Sequence, residues 1–324
     1  MRSSEALGKK FYTIAIDGTD YFSSTKINCR GCLRRVNKDQ SINYRHSIMS
    51  ATLFKSRSHQ ILPIDAEPIL NTDGDEKQDC EINAGKRLIK RLRREHPKLD
   101  MLIVGDAMFS HEPFIEELTR KRMSYLLSVK PGSHKETFEW VEDAEKQGDW
   151  VERGNWVEGP KAKRKYFEYR IVRKMPLSQS QQAWVTFIEV WERDQEENQK
   201  YHASWVTNLE VRAENIEEIV WIGRGRWKIE NEQFNTHKNG GYELEHNYGH
   251  GKEGLAVVLY YLNLLAFVAH KVLEKSDWMY KRLREATTLR EMWNGLRYCF
   301  QRILVESWKE LMKQYDPEMW EDSG

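Results

Sequence analysis

Residues 101–130, MLIVGDAMFSHEPFIEELTRKRMSYLLSVK, set the class of fold that the sequence predicts. The apolar run at 101–106 has the length and composition of a strand buried on both faces. A helical pattern follows to about residue 120, with Pro113 in the first turn, where a missing N–H costs no hydrogen bond. A second strand-like run, 124–130, ends at Pro131 and Gly132. A strand, a helix and a strand in this order favour an α/β sheet.

Upstream of this unit, the pattern predicts three strands and one helix. Residues 11–17, 42–54 and 60–64 have the branched, alternating composition of strands, and the turn-like residues SRS between the last two indicate an antiparallel meander. An apolar stripe then predicts a helix from about Cys80 to Glu95, which His96-Pro97 ends. The order β-β-β-α-β-α-β matches an RNase H-like layout, a mixed sheet flanked by helices.

Downstream of residue 131 the composition changes and four segments can be separated. Residues 138–207 are rich in tryptophan and alternate, which is typical of antiparallel strands. Helical periodicity returns at about Glu214 and continues through the apolar run 253–274 to amphipathic helices beyond 276. We therefore predict the first part of an α/β core at 1–130, a β-rich insertion at 131–210, the second part of the core at 211–275, and a helical C-terminal tail at 276–324.

Composition limits the compartment and the partners. The 324-residue chain has four cysteines and a net charge of +1, and its N-terminus lacks the apolar segment of a signal peptide. We expect a reducing, cytoplasmic location and no membrane. The apolar run 255–273 contains Asn263, His270 and Lys271, so it indicates a buried core helix rather than a membrane span. Basic stretches at 26–57 and 86–98 indicate a patch that faces a polyanion, or simply solvated surface charge.

Three acids stand out by their positions in the predicted elements. Asp17 (in IDGT) and Asp106 (in VGDAMF) each follow an apolar strand-like run. Glu230 lies in residues 221–250, WIGRGRWKIENEQFNTHKNGGYELEHNYGH, where a helix would align it with Arg226 and His237. Taken singly, the two aspartates are also common turn residues, and Arg226 with Glu230 is also an ordinary i, i+4 ion pair. Together, three carboxylates suit two Mg²⁺ or Mn²⁺ ions that act on a phosphodiester.

These residues carry a resemblance to a known family. The chain is similar to the DDE transposases of bacterial insertion-sequence elements, in the group with a Tyr-Arg-Glu-Lys helix signature. Asp17, Asp106 and Glu230 match the three acids, and Arg226 matches the signature arginine. The resemblance covers most of residues 11–274. It implies an RNase H-like catalytic domain that cleaves element-end DNA and joins the freed 3′-hydroxyl to a target, using two Mg²⁺ or Mn²⁺ ions. It also implies a homodimer on double-stranded DNA at the bacterial nucleoid.

The chain departs from the family signature at two positions. The signature tyrosine falls at Gly223, so Trp221 or Trp227 is expected to supply the ring. The signature lysine falls at His237, with Lys238 beside it. We expect His237 and Lys238, together with Arg226, to contact DNA. The resemblance further implies that an aromatic residue of the insertion, Trp205 or Trp191, stacks on a flipped base, although core packing is the more common role of a tryptophan.

Two other functions stay open at this point. Only sixteen residues precede Asp17, whereas such transposases usually carry a DNA-end-binding domain there. The chain is therefore alternatively a truncated or domesticated derivative that binds DNA without cutting it. A metal-dependent phosphohydrolase of small substrates is the third reading, which the basic stretches and the many tryptophans disfavour.

The cysteines and two histidines raise a separate question. Cys29-Arg-Gly-Cys32 has the spacing of half a zinc site. Cys80 is expected as a third ligand of a structural Zn²⁺, with His46 or Cys299 as the fourth. The alternative is that the thiols are free and buried. His246 and His250, after the motif helix, are expected either to reach DNA, to orient a ligand or to be structural.

Overall fold

A computed structural model describes residues 7–71, 78–148, 151–246, 249–251 and 253–315. Within these ranges, ten strands form one mixed sheet with the order β2-β3-β1-β5-β6-β10-β9-β8-β7, and β4 also pairs with β3. The strands are β1 Tyr12–Ser24, β2 Leu33–Val36, β3 Ile42–Phe54, β4 Ile61–Ile69, β5 Met101–Gly105, β6 Ser124–Val129, β7 Val151–Glu158, β8 Lys165–Pro176, β9 Trp184–Arg193 and β10 Gln199–Thr207.

The helices flank this sheet and form a C-terminal group. They are α1 Glu81–Glu95, α2 Glu112–Arg120, α3 Lys135–Gln147, α4 Ile216–Arg224, α5 Asn235–Asn239, α6 Leu255–Ser276, α7 Trp278–Ala286, α8 Leu289–Arg302 and α9 Trp308–Tyr315. A 3₁₀ turn lies at Lys161–Lys163, and a π-helix, Ile229–Phe234, leads directly into α5. The predicted α/β class, with a large mixed sheet, flanking helices and a helical C-terminal region, is confirmed.

The first half of the sheet has the predicted composition and order, with one addition. β1, β3 and β4 form the antiparallel meander, while β1, β5 and β6 run parallel to one another. The parallel strands are buried on both faces, which explains their unbroken apolar sequence. The short strand β2 was not predicted. It lies beside the first residues of β3 and exposes three of its four side chains, so its sequence lacks a clear apolar pattern.

The predicted antiparallel strands of the β-rich segment are present, but its first part is a helix and not a strand. β7 to β10 are antiparallel as expected, and β10 pairs with β6, so they extend the core sheet. Residues 135–147, however, are helix α3, which buries Phe138 and Val141 against the sheet. The i, i+3 spacing of these two residues and Gly148, which caps the helix at φ 71°, were the missed helical signals.

Two apolar cores lie on opposite faces of the sheet. One core joins α1, α2 and α3 to the face that carries Ile14 and Ile16. The other joins α4 and the π-helix to the face that carries Ala15. Because successive strand residues point to opposite faces, Asp17 shares the face of Ala15. Asp17 therefore points toward the side of the sheet that α4 and the π-helix cover.

Helix α6 agrees with the predicted core helix on one stripe only. It buries Ala256, Tyr260, Leu264 and Phe267, while Leu262 and Leu265 are exposed. By length and composition it is also the one helix in the described ranges that could cross a membrane, and 22% of its most apolar window is buried. The contacts of its buried stripe with β4 and the packing of its end on α7 show that one face is part of the folded domain.

Helices α7, α8 and α9 form a small separate core. It centres on Tyr280, Met292 and Met312, and Leu273 of α6 packs against it. The Thr288 hydroxyl accepts from the Glu291 N–H and the Glu291 carboxylate accepts from the Thr288 N–H, a capping box that starts α8. The predicted helical tail is thus seen as far as Tyr315, where the described residues end.

Candidate active site

The sheet itself places two of the predicted acids side by side. β1 and β5 are in parallel register, with Ala15 beside Val104. Continuing this register by two residues sets Asp17 beside Asp106, which directly follows the last residue of β5. Asp17 lies in the middle of β1 and not, as expected, at its end, because the strand continues to Ser24. It and Asp106 line the same cleft.

The third acid reaches this cleft from the π-helix. Glu230 lies there between Ile229, which is buried in the second core, and Gln233. The buried Gln233 amide donates to Ser50 Oγ at 2.9 Å, and the Thr52 hydroxyl donates to its carbonyl oxygen. Ser50 is the direct cross-strand partner of Asp17. Two hydrogen bonds thus fix the π-helix on β3 so that Glu230 lies in the same cleft as Asp17 and Asp106.

Arg226 links two of the three carboxylates. Its Nη1 donates to Asp17 Oδ2 at 3.1 Å and to Glu230 Oε1 at 2.5 Å. The guanidinium also lies 4.3 Å from the centre of the Trp227 ring, a cation–π contact. The predicted i, i+4 pair of Arg226 and Glu230 is therefore present. The same arginine also pairs with Asp17, which lies 209 residues earlier in the chain. The prediction that Arg226 contacts DNA remains untested.

The cleft is crowded with negative charge. Burial, and then a hydrogen bond with Glu230, raise the pKa of Asp17 to about 8, against the opposing attraction of Arg226. The charges of Glu230 and Asp106 contribute to this increase. One arginine therefore does not balance the three acids, and an additional cation would relieve their repulsion.

A fourth acid, which the sequence did not suggest, lies beside this group. Glu81 begins α1 and its carboxyl group is so close to Gly18 that a Cβ added there would be 2.6 Å from Glu81 Cδ. Burial, and then the charges of Asp106 and Asp20, raise the pKa of Glu81. The only sequence signal was the glycine after Asp17, which leaves room for this approach. Glu81 therefore belongs to the electrostatic surroundings of the cleft.

The rest of the cleft offers hydrogen-bonding, basic and aromatic surface. Its lining includes Ser128 and the exposed Lys130 at the end of β6, and Tyr201 of β10. Trp227 is 51% exposed, more than the other aromatic side chains of the lining. A ring open to solvent beside acidic and basic groups suits a ligand that has both flat and charged parts.

Comparison with known proteins adds no identification. The chain matches no model of a known protein family, and no curated protein sequence is significantly similar to it. The chemistry of this cleft therefore has to be argued from its own residues.

Trp205 was predicted to stack on a flipped base, and its burial contradicts this. The side chain is 1% exposed, and its indole fills the space beside Gly223. A Cβ added to Gly223 would lie 2.6 Å from the Trp205 ring. Trp205 thus forms part of the cleft wall and of the second core, and it is not free to receive a base. Trp191, the other residue considered, stacks on His202 with ring centres 5.3 Å apart.

The prediction that His237 contacts DNA is wrong. The imidazole is fully buried, and its centre lies 4.4 Å from the Phe267 ring and 5.4 Å from the Tyr242 ring. Neither ring nitrogen has a hydrogen-bond partner within the described ranges. The prediction assumed a regular helix, but each residue of the intervening π-helix advances by less than 100°, so His237 no longer follows Glu230. Lys238 forms an ion pair with Glu245 at 2.8 Å, and its role on DNA is untested.

The buried His237 predicts a pH dependence of stability. Burial lowers its pKa from 6.5 to about 3, so the folded protein keeps it neutral while the unfolded chain takes up a proton below pH 6.5. Its stability contribution is complete above that pH and falls as the pH drops. Between pH 7.5 and pH 5 this group should cost about 2 kcal/mol of unfolding free energy. His237→Leu should remove that part of the loss, as measured by denaturant unfolding at both pH values.

A matched control separates this effect from general acid sensitivity. His59 is almost fully exposed, with its Nδ1 3.2 Å from Glu232. His59→Gln should keep the pH dependence of the wild type. An equal loss of stability in His237→Leu and in the wild type would show that His237 is not held neutral.

The basic stretches are partly neutralised within the fold. In the run at 86–98, Arg87 pairs with Glu67 and Asp79, while Arg91 pairs with Asp65 and Glu67. Basic residues of the earlier stretch are exposed at the surface: Lys26, Arg30, Arg34, Arg35 and Lys38. Exposed positive charge is therefore denser in the loop and strand before β3 than on α1, where Lys90 and Arg94 are exposed.

The predicted Cys29 and Cys32 do come together, but with partners other than those expected. Their thiols meet His46 of β3 and His250, and the four ligand atoms lie within 4.8 Å of one another. Cys80 is exposed at the start of α1 and Cys299 is buried in the C-terminal core, so neither belongs to this group. His46 was one of the two fourth ligands considered. His250 was noted in the sequence, but nothing there indicated that it lies beside Cys32.

Proposed function

We propose that the protein is a metal-dependent DNA strand-cleaving and strand-transferring enzyme of the DDE transposase type, with an RNase H-like core. The observation that carries this proposal is that Asp17, Asp106 and Glu230 line one cleft, although they come from three separated segments. A strand meander followed by helix, parallel strand, helix and parallel strand supports the proposed core. The family resemblance of the acid motifs points the same way.

The three acids suit Mg²⁺ or Mn²⁺ by the chemistry of their donors. These ions prefer oxygen ligands, and a few carboxylates suffice when phosphate and water complete the coordination. Asp17, Asp106 and Glu230 would hold them. When bound, such ions supply an activated water or 3′-hydroxyl and charge stabilisation at the leaving oxygen.

The protein's own residues have distinct tasks in this proposal. The middle of β1 holds Asp17 and the end of β5 holds Asp106, while Gln233 holds the segment of Glu230 on β3. Arg226 neutralises part of the acidic charge and orients two carboxylates. Lys130 and the open ring of Trp227 provide the surface on which a DNA strand can lie, by charge and by stacking. Double-stranded DNA is the proposed substrate, and a homodimer on DNA follows from the need to join two ends.

The direct test is a metal-dependent nicking assay with the Asp106→Asn variant. The substrate is a supercoiled plasmid that carries the gene and its flanking genomic DNA. We expect nicked product with Mn²⁺ and none with a chelator. Asp106→Asn should lower the rate by at least about a thousandfold, while a gel shift with the same DNA stays unchanged. Nicking by Asp106→Asn at the wild-type rate would refute the assignment.

A second function has a specific observation in its favour. At the signature tyrosine position Gly223 has no side chain, and at the lysine position His237 lies in the core, so neither can contact phosphate. This supports a derivative that holds DNA without cutting it. In the same assay, a gel shift without nicking under Mn²⁺ would select this function.

A further inference from the structure

Four side chains that commonly bind metals converge at the far end of β1. Cys29 and Cys32 lie in the turn after β1, His46 lies on β3, and His250 lies just before α6. Cys32 and His250 are 218 residues apart in the chain. In the described ranges no other set of three or more such side chains is grouped within 4.8 Å.

Four of the six distances between the ligand atoms match those of a tetrahedron around one ion, and all six are within 4.8 Å. Zn–S bonds of about 2.3 Å place two sulfur ligands about 3.8 Å apart at the corners of a tetrahedron. The Cys29 and Cys32 sulfurs are 3.7 Å apart. Their distances to His46 Nε2 are 3.3 and 3.4 Å, and Cys32 Sγ lies 3.6 Å from His250 Nδ1. Mixed sulfur and nitrogen corners of the same tetrahedron are about 3.5 Å apart.

The surroundings of the group favour a structural ion rather than a catalytic one. Cys32, His46 and His250 are buried, and aromatic rings enclose them. The Tyr21 ring lies 5.7 Å from the His46 ring, and the Phe22 ring lies 4.1 Å from the His250 ring. Four protein ligands leave no open position on a tetrahedral ion, and rings exclude water from it.

We propose that Cys29, Cys32, His46 and His250 bind one structural Zn²⁺ ion. Two thiolates and two imidazoles select zinc over the hard cations that suit the carboxylate cleft, because sulfur is a poor ligand for Mg²⁺ or Ca²⁺. The ion joins the turn after β1 to the segment between α5 and α6. It thereby fixes the strand of Asp17 relative to the chain that follows Glu230.

A cross-link of this span has a physical consequence for stability. The ion couples metal binding to folding, because the unfolded chain does not hold the four ligands together and binds the ion far more weakly than the folded chain. Removal of the ion should therefore lower the melting temperature by about 10 °C, although the three acids of the cleft are still present.

The first experiment measures metal content and ligand type in the purified full chain. We expect about one Zn²⁺ per chain by elemental analysis. After removal and replacement by Co²⁺, the protein should show thiolate-to-cobalt charge-transfer absorption and the visible bands of a tetrahedral site. This signature separates the proposed site from the acid cleft, because Co²⁺ bound by carboxylates gives no thiolate absorption.

Variants then assign the ligands. Cys32→Ser and His250→Gln should lose at least about nine-tenths of the bound Zn²⁺. His250→Cys should keep it, since three cysteines and one histidine also form a structural zinc site, and it should shift the Co²⁺ spectrum. Cys80→Ser and His59→Gln are matched controls, because both side chains are exposed and lie outside the group. Both should bind one Zn²⁺.

Three results would overturn the proposal. One is wild-type protein that, when reduced and folded, takes up less than about one-tenth of an equivalent of Zn²⁺. Another is a Co²⁺ derivative without thiolate absorption. The third is full Zn²⁺ content in folded Cys32→Ser and His250→Gln. If the purified protein contains a Cys29–Cys32 disulfide, it is reduced and tested again. A failure to bind Zn²⁺ after reduction is then the first of these results.

Discussion

Glu230→Gln should reduce DNA nicking by at least about a thousandfold, while Glu232→Gln leaves it within about twofold. The two glutamates lie two residues apart on the π-helix, but their surroundings differ. Glu230 lies in the cleft with Asp17 and Asp106 and pairs with Arg226. Glu232 points away and pairs with Lys228 at 3.1 Å. The same chemical change thus removes an acid from the cleft in one case and an ion pair outside the cleft in the other.

The measurement is the initial nicking rate of supercoiled DNA with Mn²⁺ at fixed protein concentration. Gel shifts and melting temperatures of both variants show whether binding and folding are kept. Glutamine retains the size of glutamate and one oxygen acceptor, so a large loss of rate reports the missing charge rather than a collapsed cleft. Equal rates in Glu230→Gln and the wild type, or an equal loss in both variants, would remove Glu230 from the proposed active site.

The contrast between these two glutamates also shows what the sequence could predict. The strand that carries Asp17 and the strand that precedes Asp106 have apolar, buried residues, so short-range patterns located both strands. Their adjacency depends on the parallel register of β1 and β5, which a strand–helix–strand order implies but does not specify. Glu230 was found from its local motif. Its approach to β3 depends on Gln233, a polar residue whose partners no local pattern indicates.

Other features depend on contacts between distant segments. The π-helix inserts an irregularity that shifts every later residue of the predicted stripe, so Glu230 was placed in the cleft while His237 was placed there wrongly. Gly223 was seen only as a missing tyrosine, because the ring that occupies its space comes from β10. The sequence shows His250 only as a loop histidine, because its neighbour Cys32 lies 218 residues earlier in the chain. Periodicity describes one segment at a time and cannot report such pairs.

The pair of Gly223 and Trp205 leads to a second large effect, on stability. Trp205→Ala should lower the free energy of unfolding by about 3–5 kcal/mol, because it leaves a cavity where a fully buried indole was. Gly223→Tyr should cost at least as much, since even its Cβ would lie 2.6 Å from Trp205 Cε2. Both values come from denaturant unfolding of the full chain.

The double variant decides whether the two positions share one space. With Trp205→Ala, the room left by the indole becomes available to a side chain at position 223. The double variant should therefore lose less unfolding free energy than the two single variants lose in sum, and the difference should be at least about 2 kcal/mol. Additive losses would show that the two side chains occupy different volumes. A positive coupling means that the Trp205 indole occupies the volume that a side chain at position 223 would need. Gly223 is then required by the packing of β10 against α4, because any larger residue there displaces a fully buried ring.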